Sequence, residues 1–120
     1  MRKQFNKTLL NLAKRDKRII LIFGDISVYL FNNFKLKFPK RFYNLGICES
    51  SLISLSAGLR FEGFIPFVHS IAPFVTERAI EQIKVDLVYN NLHLNPLYAP
   101  SSIHPKNLLL QYYGLPGQKH

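Results

Sequence analysis

A chain of 120 residues with 48% hydrophobic and 19% charged content, and a mean hydropathy of +0.02, can fill one packed domain; wholesale disorder is excluded. Sixteen Lys and Arg against seven Asp and Glu give a formal charge of +9. No apolar run is long enough to span a bilayer, and the basic N-terminus is not followed by an apolar signal core, so a cytoplasmic protein is expected with no membrane partner.

The first predicted element is a helix over residues 3–15, where Phe5, Leu9, Leu10, Leu12 and Ala13 trace an apolar stripe. Seven of the sixteen basic residues lie between Arg2 and Arg18 and fill its other face, as a solvated helix requires. A second cluster, Lys35, Lys37, Lys40 and Arg41, flanks Pro39 without the aromatic platforms of a nucleic-acid motif, so nucleic acid is not the expected partner. The run Ile19–Phe23 is apolar on both faces, as a buried parallel strand must be. It ends at Gly24-Asp25, and a short helix over residues 30–38 stops before Pro39.

Residues 41–45 predict a second strand, residues 49–60 a helix rich in small side chains, and residues 64–68 a third strand interrupted by Pro66. Phe74, Val75, Ala79, Ile80, Ile83, Leu87 and Val88 space out one long amphipathic helix. Strand and helix alternate throughout. The fold class is therefore α/β, a three-layer αβα sandwich around a mostly parallel sheet.

Glu49 is one of the seven acidic residues and stands just beyond the second strand and the Gly46 turn. That is the carboxyl edge of the sheet, where open α/β folds keep their ligands. A carboxylate in a first helical turn also complements the macrodipole whether or not it does chemistry. The single cysteine, Cys48, can form neither an internal disulfide nor a thiolate metal site, and its apolar turn suits a small buried filler.

An ordered set of short motifs carries more information than any one of them. Phe38-Pro39-Lys40-Arg41-Phe42, Gly46-Ile47-Cys48-Glu49, Ala57-Gly58-Leu59 and Gly63-Phe64-Ile65-Pro66-Phe67 are followed by Ser70-Ile71-Ala72-Pro73-Phe74, Arg78 and Glu81-Gln82-Ile83. Over residues 3–94 this string resembles the pyrimidine-binding domain of transketolase-type thiamine diphosphate enzymes, above all the C-terminal subunit of split transketolases. Deoxyxylulose-phosphate synthases and 2-oxoacid dehydrogenase beta subunits are similar as cousins. A fragment of either cousin, or a noncatalytic remnant that only binds a partner, is the alternative to a transketolase subunit.

The resemblance implies a division of roles. The cofactor's aminopyrimidine becomes a competent base when a carboxyl group engages its ring N1′, and Glu49 matches that family position. A carboxyl withdrawn from water suits proton sharing with the ring. Phe74 matches the aromatic that packs on the pyrimidine, although core packing alone would also employ it. Asp25 matches an acidic residue near the thiazolium and the interface between subunits, and could equally be a turn cap. Arg78 lies near a basic group for a sugar phosphate, and His69 ends the third strand with a side chain able to transfer a proton or touch substrate. An ordinary surface Arg and a hydrogen-bonded structural His are the plainer accounts of these two.

The family's diphosphate is held through a divalent metal by a Gly-Asp-Gly motif with a downstream Asn, whereas Gly24-Asp25 is followed here by Ile26. No metal site is expected in this chain. The resemblance implies that Mg2+ and the diphosphate site come from an N-terminal transketolase-like partner subunit, that the assembly is an oligomer acting on sugar phosphates, and that a lone copy is inactive. Residues 1–95 are expected to form the domain. Residues 96–120 hold four of the seven prolines and depart from the family pattern as a divergent tail, in which Pro96 should spoil a central strand. A truncated or frameshifted reading frame, leaving one sheet edge unpaired, is the expectation for this end of the fold.

Overall fold

The structure, a computed structural model, describes residues 2–93 and 95–99, with side chains over residues 4–93. Helix α1 (Arg2–Arg15) leads into strand β1 (Ile19–Phe23), and a 3-10 turn (Val28–Phe31) runs into helix α2 (Asn32–Lys37). A second 3-10 turn (Pro39–Arg41) opens strand β2 (Phe42–Asn44), followed by helix α3 (Glu49–Phe61) and strand β3 (Ile65–Ile71). Helix α4 (Ala72–Thr76), the short helix α5 (Ile80–Gln82), a π-helical segment (Ile83–Val88) and strand β4 (Asn95–Ala99) complete the order. The four strands form one parallel sheet in the order β2-β1-β3-β4.

Strand β1 explains the layering, because its side chains are buried alternately on two sides. Ile20 and Ile22 join Leu52, Ile53 and Ala57 of α3, Val68 of β3, and Val75, Ala79, Ile83 and Leu87 on one face. Ile19, Leu21 and Phe23 join Leu9 and Ala13 of α1 with Phe31, Phe34 and Phe42 on the other. A sheet with helices on both faces must be apolar on both. This is the three-layer α/β fold. Among the described residues no helix is long and apolar enough to cross a membrane.

One basic residue from each cluster, Arg18 and Arg41, packs at the end of α1. Arg41 donates to the carbonyl oxygens of Ala13 at 3.0 Å and Asp16 at 3.1 Å, satisfying acceptors that the ending helix leaves open. Its guanidinium also lies 3.8 Å from the ring centroid of Phe38. Arg18 holds Asp16 through a side-chain contact of 2.7 Å, which keeps that carboxyl well below its ordinary range, at about 2.

Two expectations are corrected. The single long helix over residues 74–88 is broken after Thr76, where residues 77–79 form a turn. Ala79 then leaves helical geometry with φ −109° and ψ 19°, and the π turn still buries Ile83 and Leu87. Pro96 does not prevent a strand either, since β4 runs across it with Val68 opposite Pro96. Among the described residues β4 is the edge of the sheet, so its backbone needs partners on one side only, which is where Pro is tolerated. The remainder of the expected tail, residues 100–120, lies outside the described residues.

Candidate active site

Parallel strands bring the carboxyl ends of β1, β2 and β3 to one rim, and each sends a loop or helix from it. Gly24 N–H donates to the His69 carbonyl at 3.0 Å and Leu45 N–H to the Phe23 carbonyl at 3.0 Å, so the sheet pairing extends up to this rim. Gly46 turns with a φ of 77°, a left-handed conformation open to glycine, and delivers the chain into α3. Glu49 is the first residue of that helix and only 4% exposed.

A buried carboxylate needs partners, and Glu49 has one on each oxygen. Ser70 Oγ, on β3, donates to Oε1 at 3.1 Å, and Arg78 Nη1 stands 3.8 Å from Oε2. The Arg78 guanidinium carbon lies 3.6 Å from the centroid of the half-buried Phe74 ring. Three of the residues singled out in the sequence, Glu49, Phe74 and Arg78, thus meet in one cluster. A planar cation with N–H donors is stacked on an aromatic face and directed at a carboxylate, a seat that suits other planar donors of similar size.

The other two singled-out residues lie elsewhere. Asp25 is exposed at the end of β1 with a φ of 56°, and its place is fixed by Asn44 at the end of β2. Asn44 Nδ2 donates to Asp25 Oδ1 at 2.8 Å, and Asn44 Oδ1 accepts from the backbone N–H groups of Asp25 and Gly46, each at 3.1 Å. His69 follows the two-residue period of β3 onto the face opposite Ser70. There it is buried with its ring edge-on to Phe23 at 5.6 Å and tilted against Phe31 at 5.3 Å. Cys48 is partly buried, and its Sγ donates to the Leu45 carbonyl at 2.9 Å.

Sequence reasoning missed two residues of this rim, Ser70 and Asn44. Asn44 carried a readable signal, an Asn between a strand and a Gly turn, where its side chain can serve backbone donors. Ser70 stood in the motif Ser70-Ile71-Ala72-Pro73-Phe74 with no role given to it, and strand alternation sends it to the face opposite His69.

With this geometry in place, the relatives of the chain fall into one group. The family model described as the transketolase pyrimidine binding domain matches residues 1–103. The chain belongs to that family, whose members use thiamine diphosphate. It is 42% identical over 91 residues to one of the subunits of the apulose-4-phosphate transketolase of Phocaeicola vulgatus, a match covering 74% of this chain and 29% of the relative. It is 39% identical over 89 residues to the 1-deoxy-D-xylulose-5-phosphate synthase of Lawsonia intracellularis, covering 73% of this chain and 14% of the relative. Among solved structures, a split gene transketolase described as an inactive beta4 tetramer matches with a TM-score of 0.68 and 34% identity, over 79% of this chain and 31% of that one. The chain therefore spans less than a third of the length of each of these relatives.

Proposed function

We propose that this chain supplies the pyrimidine half of a thiamine diphosphate site for ketol transfer between sugar phosphates, the other half coming from a partner subunit. The convergence of Glu49, Phe74 and Arg78 carries this reading. An aminopyrimidine is planar, carries N–H donors and needs a carboxyl group at its ring nitrogen, so it matches the demands that the Arg78 guanidinium meets in the same seat. When bound, the cofactor supplies the carbon nucleophile of ketol transfer.

The residues of this chain then divide the work. Phe74 offers a face that orients the ring. Glu49 Oε2 holds and returns a proton at the ring nitrogen, and the low exposure of the carboxylate keeps water from competing for it. Arg78 has to swing aside, which costs little. Its side chain is 53% exposed, so the guanidinium regains water, and the incoming ring takes its place beside the 4%-exposed Glu49, which is not left unpaired. At the rim, its forked donors suit the phosphate of a sugar substrate. Asp25, held out at the rim by Asn44, is assigned to the thiazolium side and the interface with the partner.

Mg2+ and the diphosphate are assigned to a partner carrying Gly-Asp-Gly and a downstream Asn, in an oligomer. The split transketolase relatives are named as subunits, and the matched solved structure is an inactive tetramer of beta chains, which favours a chain that is silent alone. A fragment of a deoxyxylulose-phosphate synthase type remains the second reading, because the synthase of Lawsonia intracellularis matches over nearly the same share of the chain. Equilibrium dialysis with thiamine diphosphate and Mg2+ separates the outcomes. Saturable binding by the mixture of the two chains, and weak binding by each alone, is expected. Absence of binding by the mixture would leave only a noncatalytic remnant.

A further inference from the structure

Resting on the role proposed for Glu49, we infer that Ser70 is a positioning residue that fixes which carboxylate oxygen meets the ring. Ser70 is 1% exposed, and its hydroxyl donates to Glu49 Oε1 at 3.1 Å across 21 residues of sequence. A hydrogen bond to a charged group in a buried site is among the stronger ones available to a side chain. The other oxygen, Oε2, lies 3.8 Å from Arg78 Nη1, and the Arg78 guanidinium lies over the Phe74 ring. The carboxylate is thereby divided into an anchored oxygen and a working one.

The surroundings of Ser70 fit this assignment. A Cβ added to Gly24 would lie 3.0 Å from Ser70 Oγ and 3.1 Å from Leu52 Cδ1, so the glycine at the end of β1 keeps clear the volume beside the hydroxyl. Without the Ser70 donor, both carboxylate oxygens are free to turn toward the Arg78 guanidinium, whose forked N–H groups favour a two-point grip on a carboxylate. That pairing would misalign Oε2 and hold Arg78 in the seat. Errors of about 1 Å in such positions cost on the order of 100-fold in rate.

The test uses the full chain assembled with its partner subunit, thiamine diphosphate and Mg2+. Ser70→Ala is expected to lower kcat about 10- to 100-fold and to weaken cofactor binding about 3- to 10-fold, with KM for the sugars unchanged. Ser70→Thr keeps the hydroxyl and should restore kcat to within about threefold of wild type. A purely structural role predicts no such split, since loss of folded protein lowers the active fraction without weakening the cofactor dissociation constant of what remains. Should the Ala variant fail to fold, Ser70→Cys, close in volume and a weak donor, is read by the same criteria. Wild-type kcat and cofactor affinity in Ser70→Ala, or a Thr variant as impaired as the Ala variant, would overturn the inference. Glu49→Gln in the same assay keeps the two claims apart. A normal Ser70→Ala beside an inactive Glu49→Gln removes only the role of Ser70, whereas an active Glu49→Gln removes the role of Glu49 on which the inference rests.

Discussion

Glu49→Gln is expected to lower ketol transfer by the assembled pair at least about 100-fold, with little change in the stability of the fold. Gln has nearly the shape of Glu and still offers Ser70 a carbonyl oxygen, but its amide cannot take up and return a proton at the ring nitrogen. Positioned proton transfer contributes about 100- to 10,000-fold in enzymes generally. The structural losses are small by comparison. The Arg78 contact is long, at 3.8 Å, and its guanidinium is half exposed, while a carboxylate in the first turn of α3 adds about 0.3–1 kcal/mol through the helix dipole. Steady-state kinetics and a thermal melt on the same preparation check this, and turnover within threefold of wild type would remove Glu49 from the chemistry.

The largest stability effect is expected at Phe23. Its side chain has no exposure, and its ring sits 4.8 Å from Phe42, 5.0 Å from Phe31 and 5.6 Å from His69. Truncation to Ala removes the centre of the aromatic cluster that joins β1, β2 and β3 to the α1 and α2 layer, at a cost of about 3–5 kcal/mol. Domains of this size are stable by only about 5–15 kcal/mol, so Phe23→Ala should remove a large fraction of the total. Phe23 also immediately precedes Gly24 and Asp25, and the rim should loosen with the core. Urea titration measures the loss. Leu36→Ala, at a site 81% exposed, is the matched control and should change stability by less than about 0.5 kcal/mol.

The contrast between these two sites reflects what a linear sequence can carry. Strand β1 was legible because five consecutive apolar residues have no other economical place than the centre of a parallel sheet. Helix α3 was legible from its glycine turn and its small residues. Helix α4 was not, because the apolar spacing of residues 74–88 is equally compatible with one straight helix; the break falls at Ala79, whose φ of −109° and ψ of 19° no local signal in the sequence marks. Strand β4 was misjudged at Pro96 because a proline is prohibitive in a central strand and tolerated at an edge, which β4 is among the described residues, and edge position is a property of the sheet, not of the segment.

At the site, residue types with distinctive chemistry were legible and their supports were not. Glu49, Phe74 and Arg78 could be singled out through the family motifs. Ser70 and Asn44 are ordinary polar residues whose importance comes from partners 21 and 19 positions away. His69 looked more interesting than its neighbour because imidazole titrates near neutrality, yet alternation along β3 packs it among Phe23 and Phe31 on the far face of the sheet. The second basic cluster reads only as lacking a nucleic-acid motif, and its Arg41 engages the last carbonyls of α1. Sequence spacing does not encode these contacts.

The most direct measurement is ketol transfer between sugar phosphates by this chain and a partner bearing the Gly-Asp-Gly motif and downstream Asn, each assayed alone and then mixed, with thiamine diphosphate and Mg2+ present throughout. Turnover that appears only on mixing, and only with the cofactor, is the predicted result. Full turnover by either chain alone, or none from a mixture that forms a stable complex, would contradict the assignment of half a cofactor site to this domain.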